Sequence, residues 1–381
     1  MTSSTDHQTG LDSEEFISGS VPWDGSGPDR RGTVEIAEAL DRLPKVELHC
    51  HVEGTMRPAT VVELARKNGV ALPTSDPTEL YRYSSLDTFL EIFWLVQSTL
   101  GSREDWARLA YESIVDGAAH GLVYRETFFT PARHLDAGQD LGEIVAGLAE
   151  GLAAAEEETG ASAMLIADID RAYGGTAGLD MVQRLVQLRQ AGKPGIERVI
   201  GVGLDSTELG VDPTDFADAF TLAGKAGFSR TSHQGEETPP THIRLGLDAL
   251  GSERIDHGLS SLQDPELTRR LADERIPLTV CPNSNVLIAN AVPRLELHPF
   301  RRMREAGLLA TLNTDDPALT DLDLGREYRS CMEAFHYGWP DMVEIALDGV
   351  EASWLDDSDK RALRARVERE AAELGAALDQ G

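Results

Sequence analysis

The sequence predicts an α/β protein folded as a (β/α)8 barrel, and three observations carry that prediction. Eight short runs rich in Val, Ile, Leu and Thr recur along the chain. Amphipathic helical patterns separate most of them, which is the mark of β/α units around a parallel sheet. Polar clusters fall at the C-terminal ends of several runs, where such barrels gather reactive groups. A doubly wound open sheet is the main competitor.

Taken in order, residues 1 to about 34 are rich in Ser, Gly and Asp with few apolar side chains, and are read as a disordered tail unable to offset the entropy of ordering. The pair Arg30-Arg31 lacks the following apolar segment of an export signal, so it reads as two solvated charges. The remainder, 35–381, is read as one barrel domain. Its first strand is VELHC at 46–50. The stretch after it, 57–120, carries several helical patterns, including LDTFLEIFWLVQSTL. An insertion there reads equally as a lid and as a helical elaboration that covers apolar surface. The further strands are LVYRETFF (122–129), SAMLIADI (162–169), VIGVGLD (199–205), SRTSH (229–233), RIDH (254–257), PLTVC (277–281) and LLATLNT (308–314). Apolar residues three and four apart mark helices in GEIVAGLAEGLAAAEEE, LDMVQRLVQLRQ and DPELTRRLADE. Extra C-terminal helices, from EYRSCMEAFHYG onward, pack outside.

Composition narrows the function. With 381 residues, 41% hydrophobic and 26% charged, the chain can build one large core or two modest ones. Thirty-five Lys plus Arg against 65 Asp plus Glu give a net charge of -30, which repels nucleic-acid polymers and anionic membrane surfaces. No run approaches the roughly 18 apolar residues of a membrane helix, and no basic-then-apolar leader opens the chain. Cys50, Cys281 and Cys331 are too few and scattered for a disulfide framework, and they fit a cytoplasmic setting. A homo-oligomer is compatible with the sequence.

The chemistry collects in LPKVELHCHVEGT. Residues two apart on a strand share a face, so His49 and His51 project together while Cys50 points away. Two such histidines alone are weak evidence for a metal. SHQGEE, RIDHG and NTDDPA, each at a predicted strand end, supply the company. His49, His51, His233 and Asp315 make a ligand set that suits one Zn²⁺ per chain, with Fe²⁺ or Mn²⁺ as alternatives. A bound ion lowers the pKa of its water towards roughly 7. Glu236 is then placed to pass protons to the group under attack, and His257 to orient or deprotonate the water. Duller readings stand beside these: His233 and His257 as satisfied core histidines, Asp315-Asp316-Pro317 as a helix cap or turn. His7, His120, His134, His242, His298 and His336 fall outside the pattern and read as structural or surface residues, with a weak interest in His134. Cys50 and Cys281 read as core packing. The Pro-Cys-x-x-Cys zinc signature and the phosphate-binding glycine loops are absent.

PKVELHCHVEG, GVGLDSTE, SHQGEE, RIDHG, CPNSN and NTDDP occur in that order, and between about Leu43 and Leu319 the chain resembles the adenosine and adenine deaminases of the amidohydrolase superfamily. The resemblance implies a (β/α)8 barrel whose zinc is held by His49, His51, His233 and Asp315. It implies Glu236 as proton donor to purine N1 and His257 as the residue that orients and helps deprotonate the water. Asp316 becomes a partner of N7 and of the hydroxide, and Glu53 and Ser206 become substrate-binding residues. The implied activity is hydrolytic deamination of a 6-aminopurine (adenine, adenosine or a modified adenine nucleoside), a small-molecule substrate, releasing ammonia. Glu53, where nucleoside-specific members usually carry Asp, together with GVGLDSTELG, RIDHG, FFTPARH and HPFRRMREAGLL, is more similar to the adenine-deaminase branch. Two residues depart from the family pattern. Gln234 replaces a small Ala, and strand alternation turns it away from the pocket as a packing change, with a specificity switch as the alternative. Asn283 replaces an apolar or aromatic residue near the expected mouth, either to read a polar substituent or to cap a loop. These departures motivate a second reading, another metal-dependent amidohydrolase acting on a non-adenine amidine, lactam or imine. A barrel kept as a binding scaffold without chemistry is the third, and the intact ligand and proton-transfer residues argue against it.

Overall fold

The computed structural model describes residues 30–83 and 86–378. Eight parallel strands pair in sequence order: β1 (Lys45–Glu47), β2 (Leu122–Phe129), β3 (Ser162–Asp170), β4 (Val199–Asp205), β5 (Ser229–Gln234), β6 (Arg254–His257), β7 (Leu278–Val280) and β8 (Ala310–Leu312). Parallel neighbours cannot be joined by hairpins, so each needs a crossover, and the amphipathic segments supply it. Packed inside and covered by helices outside, the strands are largely buried; β2 is buried along its whole length. The unbroken order excludes the doubly wound sheet, whose order reverses at a switch point.

The barrel closes between β8 and β1 through irregular backbone. His51 N–H donates to Asp315 O (2.9 Å), and Asp315 N–H to His49 O (3.1 Å). Leu48 N–H donates to Asn313 Oδ1 (2.8 Å), so a side chain replaces one ladder bond. Asp315 takes a φ of 65°, which a regular strand cannot hold. For this reason the strands expected at 46–50 and 308–314 show regular pairing only over Lys45–Glu47 and Ala310–Leu312, with Cys50 and His51 continuing as isolated bridges to Asp315 and Phe128. The other six strands match the expectation to within a residue.

The helices begin and end as their sequences dictate. Asp140 accepts the Glu143 N–H (3.1 Å) to cap Leu141–Thr159, which stops at left-handed Gly160. Asp264 and Pro265 open Pro265–Asp273 in the same manner. The first helix, Arg30–Arg42, takes in residues 30–34 of the segment read as a tail; residues 1–29 lie outside the described residues. Within the insertion, Leu86–Ser98 lies across the mouth of the barrel, with Phe89, Phe93, Trp94 and Gln97 lining the pocket beneath it. The inserted helices therefore cover the site. At the opposite strand ends, fully buried Arg254 pairs with Glu126 (2.6 Å) and stacks on Trp354, so that neither charge is left unpaired. No helix among the described residues is long and apolar enough to cross a membrane.

The outer helices Arg103–Ala118 and Leu141–Thr159 touch through glycine. A Cβ at Gly151 would stand 2.0 Å from the Ala107 carbonyl oxygen. Gly151→Ala is expected to lower the unfolding free energy by about 1–3 kcal/mol through overpacking, although Ala is the better helix former by about 1 kcal/mol. The measurement is the denaturant midpoint at unchanged slope; an unchanged or raised midpoint would show that the helices separate at no cost.

Candidate active site

His49, His51, His233 and Asp315 converge, all buried, at the C-terminal end of the barrel. His51 Nε2 lies 3.3 Å from His233 Nε2. Asp315 Oδ1 lies 3.2 Å from His49 Nε2 and 3.4 Å from His51 Nε2. Ligands at about 2.0–2.1 Å around a tetrahedral zinc stand about 3.3–3.4 Å from one another, so these separations suit one ion. The outer nitrogens face oxygens: His49 Nδ1 meets Thr279 Oγ1 (3.1 Å), His233 Nδ1 faces Asp256 Oδ2 (3.5 Å), and His51 Nδ1 faces Asp168 Oδ2 (3.7 Å). Such neighbours favour hydrogen on Nδ1 and leave three Nε2 lone pairs turned inward, an arrangement that a cation stabilises. Burial pulls His51 down to about 3 and His233 well below its ordinary value, which favours the neutral form of both. Burial pushes Asp315 up, yet His49, His257 and His51 outweigh it and keep the carboxylate ionised. The Ser284 hydroxyl donates to Asp315 Oδ2 (2.6 Å), leaving Oδ1 for the centre. These residues fit a divalent metal ion.

Glu236 and His257 stand beside this cluster. The SHQGEE turn is held by buried Glu208, which accepts the N–H groups of Gly235 (2.8 Å) and Glu236 (3.0 Å) and the Thr238 hydroxyl. Buried Arg171 donates to the carbonyls of Asp205 (2.9 Å), Ser206 (3.0 Å) and His233, joining the ends of β4 and β5. Burial pushes Glu236 up to about 7. Its Oε1 accepts from Asn285 Nδ2 (2.5 Å), which also meets His257 Nδ1 (3.1 Å). Burial lowers His257, but Glu236 and Asp315 outweigh it and raise it. With the Asn285 amide nitrogen at Nδ1, the neutral His257 ring carries its hydrogen on Nε2, 3.6 Å from Glu236 Oε2. Ser206, His257 and Asp315 all hold positive φ, at 68°, 62° and 65°, and such backbone costs about 1–3 kcal/mol per residue, which the surrounding packing must offset.

The pocket wall includes Ser206, Asp316, Thr130, Asp170, Asp205 and Glu237. Burial, then Asp315 and Glu53, push Asp316 well above the carboxylate range; a Cβ on Gly54 would lie 1.9 Å from its Oδ1, so glycine makes room for it. Glu53 is fully buried beside the wall, accepting the Thr130 N–H (2.8 Å), and Thr130 rather than Glu53 faces the cavity. Gln234 lies on the helix side of β5 against Gly246. Asn283 donates to Glu327 (2.8 Å) and Ser330 (2.8 Å), tying two helices together. His134 packs on Trp106, a structural place.

Sequence reasoning missed four residues. Glu208 stood inside a quoted motif without a role, and Arg171 follows β3 with no motif at all. Cys281 borders the site, within 4.8 Å ligand spacing of His49, His257 and Asp315, but burial raises its thiol well above its ordinary value, which keeps it protonated. His298, read as structural or surface, is buried and donates from Nε2 to Asn285 Oδ1 (3.1 Å).

The sequential barrel and the His/Asp cluster at its mouth define a barrel hydrolase built around a metal site, and comparison with known proteins gives the family. The profile of adenosine deaminase matches residues 44–370. Adenine deaminase of Streptomyces coelicolor is 38% identical over 343 residues, 89% of this chain and 98% of that protein. The crystal structure of adenine deaminase from Arthrobacter aurescens superposes with a TM-score of 0.80 at 33% identity, over 86% of this chain and 98% of that one. An amidohydrolase from Burkhoderia ambifaria, solved with bound zinc, gives a TM-score of 0.83 at 29% identity, over 91% of this chain and 95% of that one. The chain belongs to the adenosine deaminase family. It is a purine aminohydrolase that deaminates adenine-type substrates.

The purified protein is expected to carry about one equivalent of divalent metal, and His233→Ala or Asp315→Ala to retain less than about a fifth of that, since each removes a ligand. Elemental analysis checks this; near-stoichiometric metal in both variants would place the ion elsewhere.

Proposed function

We propose that the chain is a zinc-dependent hydrolase of adenine or a close adenine derivative, yielding ammonia and the 6-oxopurine. The observation that carries this reading is Glu236, a buried carboxyl pushed up to about 7 beside a cluster whose spacing suits a metal ion. His49, His51, His233 and Asp315 would hold the zinc, which when bound supplies Lewis-acid activation of water. Glu236, protonated near neutrality, donates its proton to ring N1 as water adds at C6, which relieves the charge that addition places on the ring. With Asn285 Nδ2 at its Nδ1, the neutral His257 ring carries its hydrogen on Nε2, which supports an orienting role over a deprotonating one. Asp316 and Ser206 hold the ring, and Phe89, Phe93 and Trp94 exclude water from above it. Glu236 regains a proton from the adding water and passes it to the amino group; the C6–N bond breaks, ammonia leaves, and the proton of the C6 hydroxyl restores Glu236.

The wall favours a neutral base over a nucleotide. Asp170, Asp205, Glu236, Glu237, Asp315 and Asp316 line the pocket, with no Lys or Arg among its described lining residues, and such a surface repels phosphate. Gln234 and Asn283 both lie off the wall, which supports an adenine-type reaction over a changed one.

Ammonia release from metal-loaded protein offered adenine, N6-substituted adenines, adenosine and AMP tests the reading, with Asp315→Ala as blank. Adenine or an N6-substituted adenine should turn over, with AMP at least about a hundredfold poorer in kcat/KM. Silence across the panel would sink the proposal. Glu236→Gln should retain metal and lose about 10²- to 10⁴-fold in kcat. In the native protein kcat/KM should fall as pH rises through about 7 and Glu236 gives up its proton; a limb that persists in Glu236→Gln would assign it to another group.

A further inference from the structure

We propose that His298 is a positioning residue of the active site, which sets the orientation of the Asn285 amide and thereby the place of the protons on Glu236 and His257. The inference rests on the reading of Glu236 as the acid.

The argument starts from a group that can only donate. The backbone N–H of Phe300 points at His298 Nδ1 (3.1 Å), so that nitrogen carries no hydrogen. A neutral ring must then hold its hydrogen on Nε2. Burial keeps the ring neutral, pulling it down to about 3. That Nε2–H faces Asn285 Oδ1 at 3.1 Å, where only the amide oxygen can accept. The amide nitrogen is therefore turned to the other side, where it reaches Glu236 Oε1 (2.5 Å) and His257 Nδ1 (3.1 Å). Both hydrogens of the amide are committed.

Two consequences follow for the chemistry. Glu236 Oε1 is an acceptor, so the acid proton resides on Oε2. His257 Nδ1 is an acceptor, so its hydrogen resides on Nε2, towards Glu236 Oε2. Asn285, His257 and His298 are each 3% exposed or less, so water does not compete for these bonds. The backbone of Asn285 is anchored as well, its N–H donating to Cys281 O (2.9 Å) and its carbonyl accepting from Ala291 (2.9 Å), which leaves rotation of the amide as the one freedom that His298 removes. Without His298 the amide can turn over and offer Oδ1 to Glu236. The acid proton is then drawn to Oε1 and held by Asn285, away from the substrate.

The experiment compares the native, metal-loaded protein with His298→Phe, which fills the space without a donor, and His298→Gln, whose amide can again donate to Asn285 Oδ1. Metal content and denaturant midpoint are measured for all three. His298→Phe should lose about 10- to 100-fold in kcat, the range for removing an outer partner of a catalytic group. KM should change less than about threefold, and His298→Gln should return to within about fivefold of the native kcat. Nitrogen-15 spectra of the histidine rings, which need no substrate, should show His298 as the Nε2–H tautomer. A kcat of His298→Phe within about twofold of native, or His298→Gln as impaired as His298→Phe at equal metal content, would overturn the proposal. So would a His298 ring protonated on Nδ1. If no purine is turned over by the native protein the functional reading fails, while the tautomer still decides the network on its own.

Discussion

Three imidazoles and a carboxylate can be aimed at one buried point only if the backbone beneath them is rigid, and here, for His49, His51 and Asp315, that backbone is the seam that closes the barrel. The two hydrogen bonds across the seam, His51 N–H to Asp315 O and Asp315 N–H to His49 O, are made by the ligand residues themselves. Closing the sheet and assembling the metal site are therefore one event. Asp315 pays a left-handed backbone for its place, and the seam bonds, the Ser284 hydroxyl and the packed strands on either side over-determine it. Arg171 and Glu208 do for β4 and β5 what the seam does for β1 and β8, tying irregular strand ends together with charge-assisted bonds to main-chain groups.

Burial of acid is the second constraint. Asp168, Asp205 and Asp316 lie at one end of the barrel, each pushed well above the ordinary carboxylate range by burial and then by neighbouring carboxylates. Arg171 is the guanidinium nearest to them, and its donors are engaged by backbone carbonyls. A dication at the histidine cluster supplies the missing positive charge. The same low-dielectric, acid-rich setting keeps a proton on Glu236 near neutrality, so the environment that asks for a cation also creates the general acid. The two features are not separable by a single substitution on the wall.

How much of this was legible depended on whether the signal ran along the chain or across it. The alternation of His49 and His51 is a property of one strand, and the polar clusters at 233–237, 257 and 315–316 each close a run whose period is visible, so the convergence of these side chains could be read directly. The six regular strands could be read for the same reason. The strands at the seam were overestimated, because the pattern of Leu, Cys and Thr continues where the ladder gives way to the Asn313 side chain. The Glu53 carboxylate, expected at the substrate, is buried and accepts the Thr130 N–H through Oε1, a contact beyond the ends of β1 and β2 that no spacing along the chain announces. His298 had no chance of recognition by spacing. Its ring partners are Asn285 Oδ1 and the Phe300 N–H, and the second points at Nδ1 only where the helix Phe300–Glu305 begins.

The departures from the family pattern show where specificity can and cannot reside. Gln234 is conspicuous in a motif, yet it stands on the strand face opposite His233, against a helix glycine. Asn283 follows Cys-Pro as if at the mouth, yet both hydrogens of its amide go to Glu327 and Ser330. A substitution read as chemical from its motif can thus be purely architectural, because motif adjacency is a statement about sequence while the pocket is defined by strand parity. The same parity brings forward Asp170, which no motif marked, and Asp205, to which the motifs gave no role. Asp170 and Asp205 are register partners on β3 and β4, both face the cavity, and with Ser206 and Thr130 they form the part of the wall away from the metal. Whatever distinguishes one adenine derivative from another must meet these side chains, since the groups around the metal are fully engaged by the reaction itself.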